Sequence, residues 1–161
     1  MASRTTVTAP QLVALRRVLA SPSGYIMRLA GGFWITPETP MSGHVFLPTR
    51  FDDGGSTPSW STSAQTIASC ERAGLLERTH AYSEAWRDNH RLTPAGEAIA
   101  RSAPIPKLTP TMRRNLADFA REDQGFPIGA TDLETLGYVE KHGNGWRVTA
   151  EGAAALARTR P

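Results

Sequence analysis

The sequence predicts an α+β fold built from two tandem units, the first elaborated and the second shortened. Three observations predict it. Residues 61–101 read as helix, strand, charged loop, strand and helix, with a cap or turn residue at each junction. The run Gly74-Leu75-Leu76-Glu77-Arg78 returns as Gly137-Tyr138-Val139-Glu140-Lys141, and self-similarity of this kind marks a repeated supersecondary unit. Leu92-Thr93-Pro94-Ala95-Gly96 has a counterpart within 146–152, read with an offset of one.

Taken in order, Thr8-x-x-Gln11 has capping-box spacing and Pro10 sits in the first turn, which starts a helix over 8–20. Leu12, Leu15, Val18 and Leu19 recur at helical spacing and form a core stripe. Ser21-Pro22-Ser23-Gly24 ends the helix. Residues 25–35 read as a hairpin turning at Gly31-Gly32, with at least one of Phe33 and Trp34 in the core. Residues 36–59 carry prolines 37, 40, 48 and 58 and no helical periodicity, apart from a strand-like His44-Val45-Phe46-Leu47.

The next helix, 62–73, is the most informative. Thr62-x-x-Gln65 repeats the capping-box spacing, Ser63 is a rival cap, and Gly74 is placed to end the helix in the left-handed conformation. At about 100° per residue, Trp60, Ala64, Ile67, Cys70 and Gly74 share one side. Thr62, Gln65, Thr66, Ser69 and Arg72 share the other. That face is polar and mostly uncharged. Short hydrogen-bonding side chains of this kind suit a helix lying in a DNA major groove, although an ordinary solvated surface helix looks the same. A strand over 75–78 leads into the segment 79–91, which holds His80, Tyr82, Glu84, Trp86, Arg87, Asp88, His90 and Arg91, with Arg78 at its base. Arginine here can reach phosphate or a minor groove. Thr93-Pro94 then caps and starts a helix over 94–101.

Residues 102–107 form a short proline-containing linker, which bounds a first unit, 1–101, and a second, 108–161. In the second unit Thr109-Pro110 starts a helix through Arg121 with Met112, Leu116 and Phe119 as apolar positions. Pro127 and Gly129 hold the helix before Gly137 to two turns or fewer, a poor groove reader. His142-Gly143-Asn144-Gly145 is a tight hairpin turn.

The residues Glu71-Arg72-Ala73-Gly74-Leu75-Leu76-Glu77-Arg78 and Leu92-Thr93-Pro94-Ala95-Gly96 resemble the winged helix-turn-helix superfamily, the MarR-like bacterial regulators in particular. In that superfamily a leucine, polar residues and Gly-Leu end the recognition helix, and Leu-Thr-x-x-Gly closes the wing. The resemblance covers about 40 of 161 residues. It implies two tandem winged-helix-like units, the first with a hairpin and loop elaboration and the second degenerate. It implies DNA binding by Thr62, Ser63, Gln65, Thr66, Ser69 and Arg72 of the helix and by Arg78, His80, Arg87, His90 and Arg91 of the wing. The superfamily has a further helix near 36–59, and this sequence shows none.

Composition limits the function classes. Net charge is only +3, distributed as +4 over 1–50, −2 over 51–70, 0 over 71–101 and +1 over 102–161, so nucleic-acid binding must come from local clustering. Arginine supplies nearly all the cations, and its fork suits phosphate and guanine. The single cysteine, Cys70, excludes an internal disulfide and suits a reducing compartment. No apolar run approaches a membrane span and no signal-peptide region is visible, so the expected location is cytoplasmic with no membrane partner. No phosphate-cradling loop, nucleophile elbow or metal-spaced ligand set appears, so neither enzyme activity, cofactor nor metal is expected. Three readings follow: a double-stranded DNA-binding transcriptional regulator; a protein-interaction adaptor or inhibitor that pairs with another protein or with itself; and a small hydrolase or nuclease using His44, Asp52 and Asp53.

Overall fold

The structure, a computed structural model, describes residues 6–28, 34–36, 60, 62–79, 89–121, 129–143 and 145–158. The chain divides into two compact units, 1–104 and 105–161. Among the described residues there are six helices and two small antiparallel sheets, an α+β architecture. The expected strand at 44–47 lies outside the described residues.

The first unit contains α1 (Ala9–Ala20), β1 (Tyr25–Arg28), β2 (Trp34–Ile35), α2 (Ala64–Arg72), β3 (Leu76–Thr79), β4 (Asn89–Leu92) and α3 (Pro94–Ser102). Helix α1 starts as its sequence requires. The Thr8 N–H donates to Gln11 Oε1 at 2.8 Å, and the Gln11 N–H donates to Thr8 Oγ1 at 3.4 Å. Its buried surface is wider than a stripe, since Ala9, Val13 and Ala14 join Leu12, Leu15 and Val18. The reason is that α2 and α3 both pack on it. Leu19 is only half-buried. Arg16 holds the end of α3, donating to the carbonyls of Ala100 and Ala103, where helix carbonyls lack partners and carry partial negative charge.

The sheet runs β2-β1-β4-β3. The hairpin expected at 25–35 is therefore only part of the arrangement. Strand β1 pairs with β2 through Met27 and Arg28, and with β4 through Tyr25↔Arg91, Ile26↔His90 and Met27↔Asn89. Trp34 is buried, and its backbone exchanges two hydrogen bonds with Thr62. That bridge keeps Thr62 extended and outside the helix. Ser63, not Thr62, is the N-cap of α2, and it accepts from the Thr66 N–H at 3.2 Å. Ile67 and Cys70 of α2 face the core with Trp60, while Ala64 and Gly74, assigned to the same side, are exposed.

The second unit contains α4 (Pro110–Arg121), α5 (Ala130–Thr135), β5 (Val139–His142), β6 (Gly145–Val148) and α6 (Ala150–Ala157). Its core is Met112, Leu116, Phe119, Leu133, Leu136, Tyr138 and Val139.

One clasp occurs in both units. Gly74 and Gly137, at φ +68° and +78°, end α2 and α5. The Leu75 N–H then returns to the Cys70 carbonyl at 2.9 Å, as Tyr138 returns to Leu133 at 2.8 Å. Thr93 donates its N–H to the Leu75 carbonyl and its hydroxyl to the Gly74 carbonyl; Thr149 does the same to Tyr138 and Gly137. Both threonines cap the following helix, accepting from Gly96 and Gly152 at 3.0 and 3.1 Å. The counterpart of Leu92-Thr93-x-x-Gly96 is thus Val148-Thr149-x-x-Gly152, with no offset of one. A Cβ at Gly96 would lie 2.0 Å from the Leu75 carbonyl oxygen, and one at Gly152 would lie 2.2 Å from that of Tyr138.

This yields the first prediction. Gly96→Ala must displace backbone, not a flexible side chain, and should cost about 1–3 kcal/mol, the usual range for overpacking. Chemical denaturation of the full chain measures it; a midpoint equal to wild type would show that the clasp yields freely.

Candidate nucleic-acid interface

The face of α2 opposite Ile67 and Cys70 is open. Ser63, Gln65 and Arg72 are exposed, and Thr66 and Ser69 are half-buried. With the N-cap Thr8 and with Pro10 and Gln11 of α1 they line one shallow concavity of about 240 Å³. Ser63 and Thr66 bring their hydroxyls to 3.0 Å of each other at the first turn. Arg72 has no acidic partner among the described residues. Gln11 Nε2 donates to Ser69 Oγ at 2.8 Å across 58 positions of sequence. Sequence reasoning missed Thr8 and Gln11 as neighbours of this face. Their spacing showed the capping box, but nothing local showed that the Gln11 amide reaches a second helix.

The expected wing residues separate into three groups. His80 and Arg87 lie outside the described residues, as do His44, Asp52 and Asp53. Arg78 and Arg91 are more than half exposed, yet each is engaged: Arg78 Nε is 3.1 Å from Glu71 Oε1, and Arg91 Nε is 2.7 Å from Glu77 Oε1. Exposed pairs of this kind contribute only about 0.2–1 kcal/mol, so they can exchange a carboxylate for a phosphate. His90 corrects the expectation outright. It is 2% exposed, meets the Trp34 ring edge-on at 5.0 Å, and places Nε2 3.4 Å from Glu71 Oε2. Pairing of β4 with β1 on one side and β3 on the other takes this position into the interior. Thr62 is likewise corrected from a groove-facing helical residue to a strand-bridge residue beside the helix.

Cys70 and Glu71 have shifted acidities. Burial pushes the Cys70 thiol up to about 11, so it is a packed hydrophobe and not a nucleophile near neutral pH. Burial also pushes the Glu71 carboxyl up, but the Arg78 hydrogen bond and the neighbouring His90 outweigh it, and the carboxyl lies below its ordinary value of 4.5. Among the described residues no three His, Cys, Asp or Glu side chains gather as a metal site. Nor is any helix among them long and apolar enough to cross a membrane.

No family model, curated protein or solved structure matches the chain.

The depressed Glu71 pKa has a definite sign. Its contribution to stability is present above the unfolded-state pKa and is lost as pH falls through the lower folded-state value. Glu71→Gln should therefore be less stable than wild type at neutral pH, and the gap should narrow below about pH 4.5. Denaturant midpoints measured across that range check this, and a gap independent of pH would detach Glu71 from Arg78 and His90.

Proposed function

We propose that the chain is a cytoplasmic, double-stranded DNA-binding protein, a transcriptional regulator of two tandem winged-helix-like units, in which the first unit reads DNA. The observation that carries this is the open face of α2. Ser63, Gln65, Thr66, Ser69 and Arg72 line one concavity opposite a buried Ile67–Cys70 side. The nine residues of α2 span about 13 Å, comparable to the width of the major groove. In this reading Gln65 offers a bidentate amide to adenine, Thr66 and Ser69 offer hydroxyls, and Arg72 holds guanine or phosphate. Arg78 and Arg91 flank it on the β3–β4 hairpin and contact the backbone after exchanging their carboxylates for phosphate.

A second reading has its own support. Among the described residues of the first unit, the exposed arginines Arg78, Arg91 and Arg101 are paired within the chain, in Arg78–Glu71, Arg91–Glu77 and Arg101–Glu97. A surface with mutually satisfied charges suits a protein partner, another protein or a second copy, better than a polyanion.

Two substitutions separate the readings. Gln65→Ala should cost about 1–3 kcal/mol of discrimination between duplex sequences and leave non-specific affinity largely intact. Arg91→Ala should weaken all sequences alike and flatten the salt slope by about one unit, while Glu77→Gln, which frees Arg91, should strengthen binding. Asp132→Ala with Thr135→Ala on α5 should change neither. Fluorescence anisotropy on duplexes at several salt concentrations reads all of these. Absence of salt-sensitive duplex binding would leave the partner reading in place.

A further inference from the structure

We infer that Gln11, which lies on α1 and outside the reading helix, fixes the hydrogen-bonding polarity of Ser69 and thereby the base accepted at that position. This rests on the duplex DNA reading above and deepens it. The amide of Gln11 has one possible orientation. A backbone N–H can only donate, so the atom 2.8 Å from the Thr8 N–H is the oxygen. The Thr8 hydroxyl donates to that same oxygen at 3.0 Å. The nitrogen must then point away, toward Ser69 Oγ at 2.8 Å. An amide nitrogen cannot accept, so the serine oxygen does.

The consequence is chemical. A free serine offers one donor and two acceptor sites and matches any base edge. Ser69 has one lone pair occupied by Gln11, and its O–H has no acceptor among the described residues. Accepting a hydrogen bond also polarises the hydroxyl into a stronger donor. Closing a base edge over it without an acceptor would leave the O–H unsatisfied, and that penalty exceeds the loss of an ordinary solvated bond. Ser69 therefore selects an acceptor edge, such as guanine O6 or N7, over the cytosine amino group. It is exposed enough to do so, since it lines the same concavity as Gln65 and Arg72.

Gln11→Glu inverts the device without dismantling it. Glutamate at this position of a capping box still accepts from the Thr8 N–H and suits a helix N-terminus. A carboxylate only accepts, so the Ser69 O–H must turn inward to donate, and its lone pairs alone face the groove. The test selects duplexes from a pool with randomised positions, using wild type, Q11E, S69A and the double variant at one salt concentration. Relative base preference is the readout, because the added charge lowers affinity for all sequences. In Q11E one position should shift from guanine toward cytosine by about tenfold in relative preference, the worth of one hydrogen bond. The shift should vanish when Ser69→Ala is added. Gln11→Met, of similar volume and without polar atoms, should broaden that position, and it carries the test if Q11E does not fold. A wild type that selects a site while Q11E and Q11M keep its preference overturns the role of Gln11 and leaves the DNA reading standing. A wild type with no salt-sensitive duplex binding overturns both.

Discussion

Each unit depends on a carbonyl oxygen that occupies the space of a missing Cβ. The Leu75 oxygen sits against Gly96 and the Tyr138 oxygen against Gly152, each closer than any side-chain carbon would permit. That approach lets one threonine act three times. Thr93 donates twice to the turn that ends α2 and accepts once from the first turn of α3. Singly, such bonds contribute about 0.5–1.5 kcal/mol each. Together they tie the end of one helix, the base of a hairpin and the start of the next helix into a single rigid junction. In the first unit this sets the angle between the open face of α2 and the exposed arginines of β3 and β4.

The legible parts of the fold were those written in local sequence. Thr8 and Gln11, Gly74 and Gly137, and Thr93 with Gly96 each declare a cap or turn through chemistry confined to a few neighbours, and the structure shows each one. The illegible parts depend on long-range pairing. His90 reads as a polar wing residue because its neighbours Asn89 and Arg91 are polar. Only the register Ile26↔His90 and the Trp34 ring explain its burial. Thr62 and Ser63 are equally good caps in isolation, and the choice between them is made by Trp34, whose backbone holds Thr62 in a bridge. For the candidate site, the polar face of α2 was legible as a pattern, whereas the part played by α1 was not. A glutamine in a capping box gives no local sign that its nitrogen serves another helix.

The two units share the clasp but differ where a ligand would bind. Helix α5 has six residues, and Gly129 precedes it without a side-chain cap. Thr135, at its end, turns its hydroxyl back onto the Thr131 carbonyl, so the side chain serves its own helix. Helix α2 is half as long again, carries a serine cap, and leaves Gln65 and Arg72 directed outward. The hairpin between β5 and β6 turns within a few residues, with Glu140 facing Arg147 across it at 2.5 Å. What the units hold in common is what folding needs, and what sets them apart is what a groove reader needs. On the DNA-binding reading proposed above, that asymmetry favours recognition by the first unit over the second.

The internal use of arginine constrains how such a reader would work. Arg16 is committed to the end of α3, Arg17 lies over the Trp60 ring at 5.4 Å, and Arg78 and Arg91 face carboxylates. A protein that neutralises few phosphates gains little from counterion release, so its non-specific affinity is low and its salt dependence shallow. Discrimination then has to come from short side chains held in fixed orientations, because weak electrostatics cannot compensate for a misplaced donor. This is the regime in which a buried residue of α1 such as Gln11, outside the reading helix, would matter most. With one of the three hydrogen-bonding sites of Ser69 filled before any partner arrives, part of the entropy of orienting that hydroxyl is already lost in the free protein, and less remains to be lost on binding.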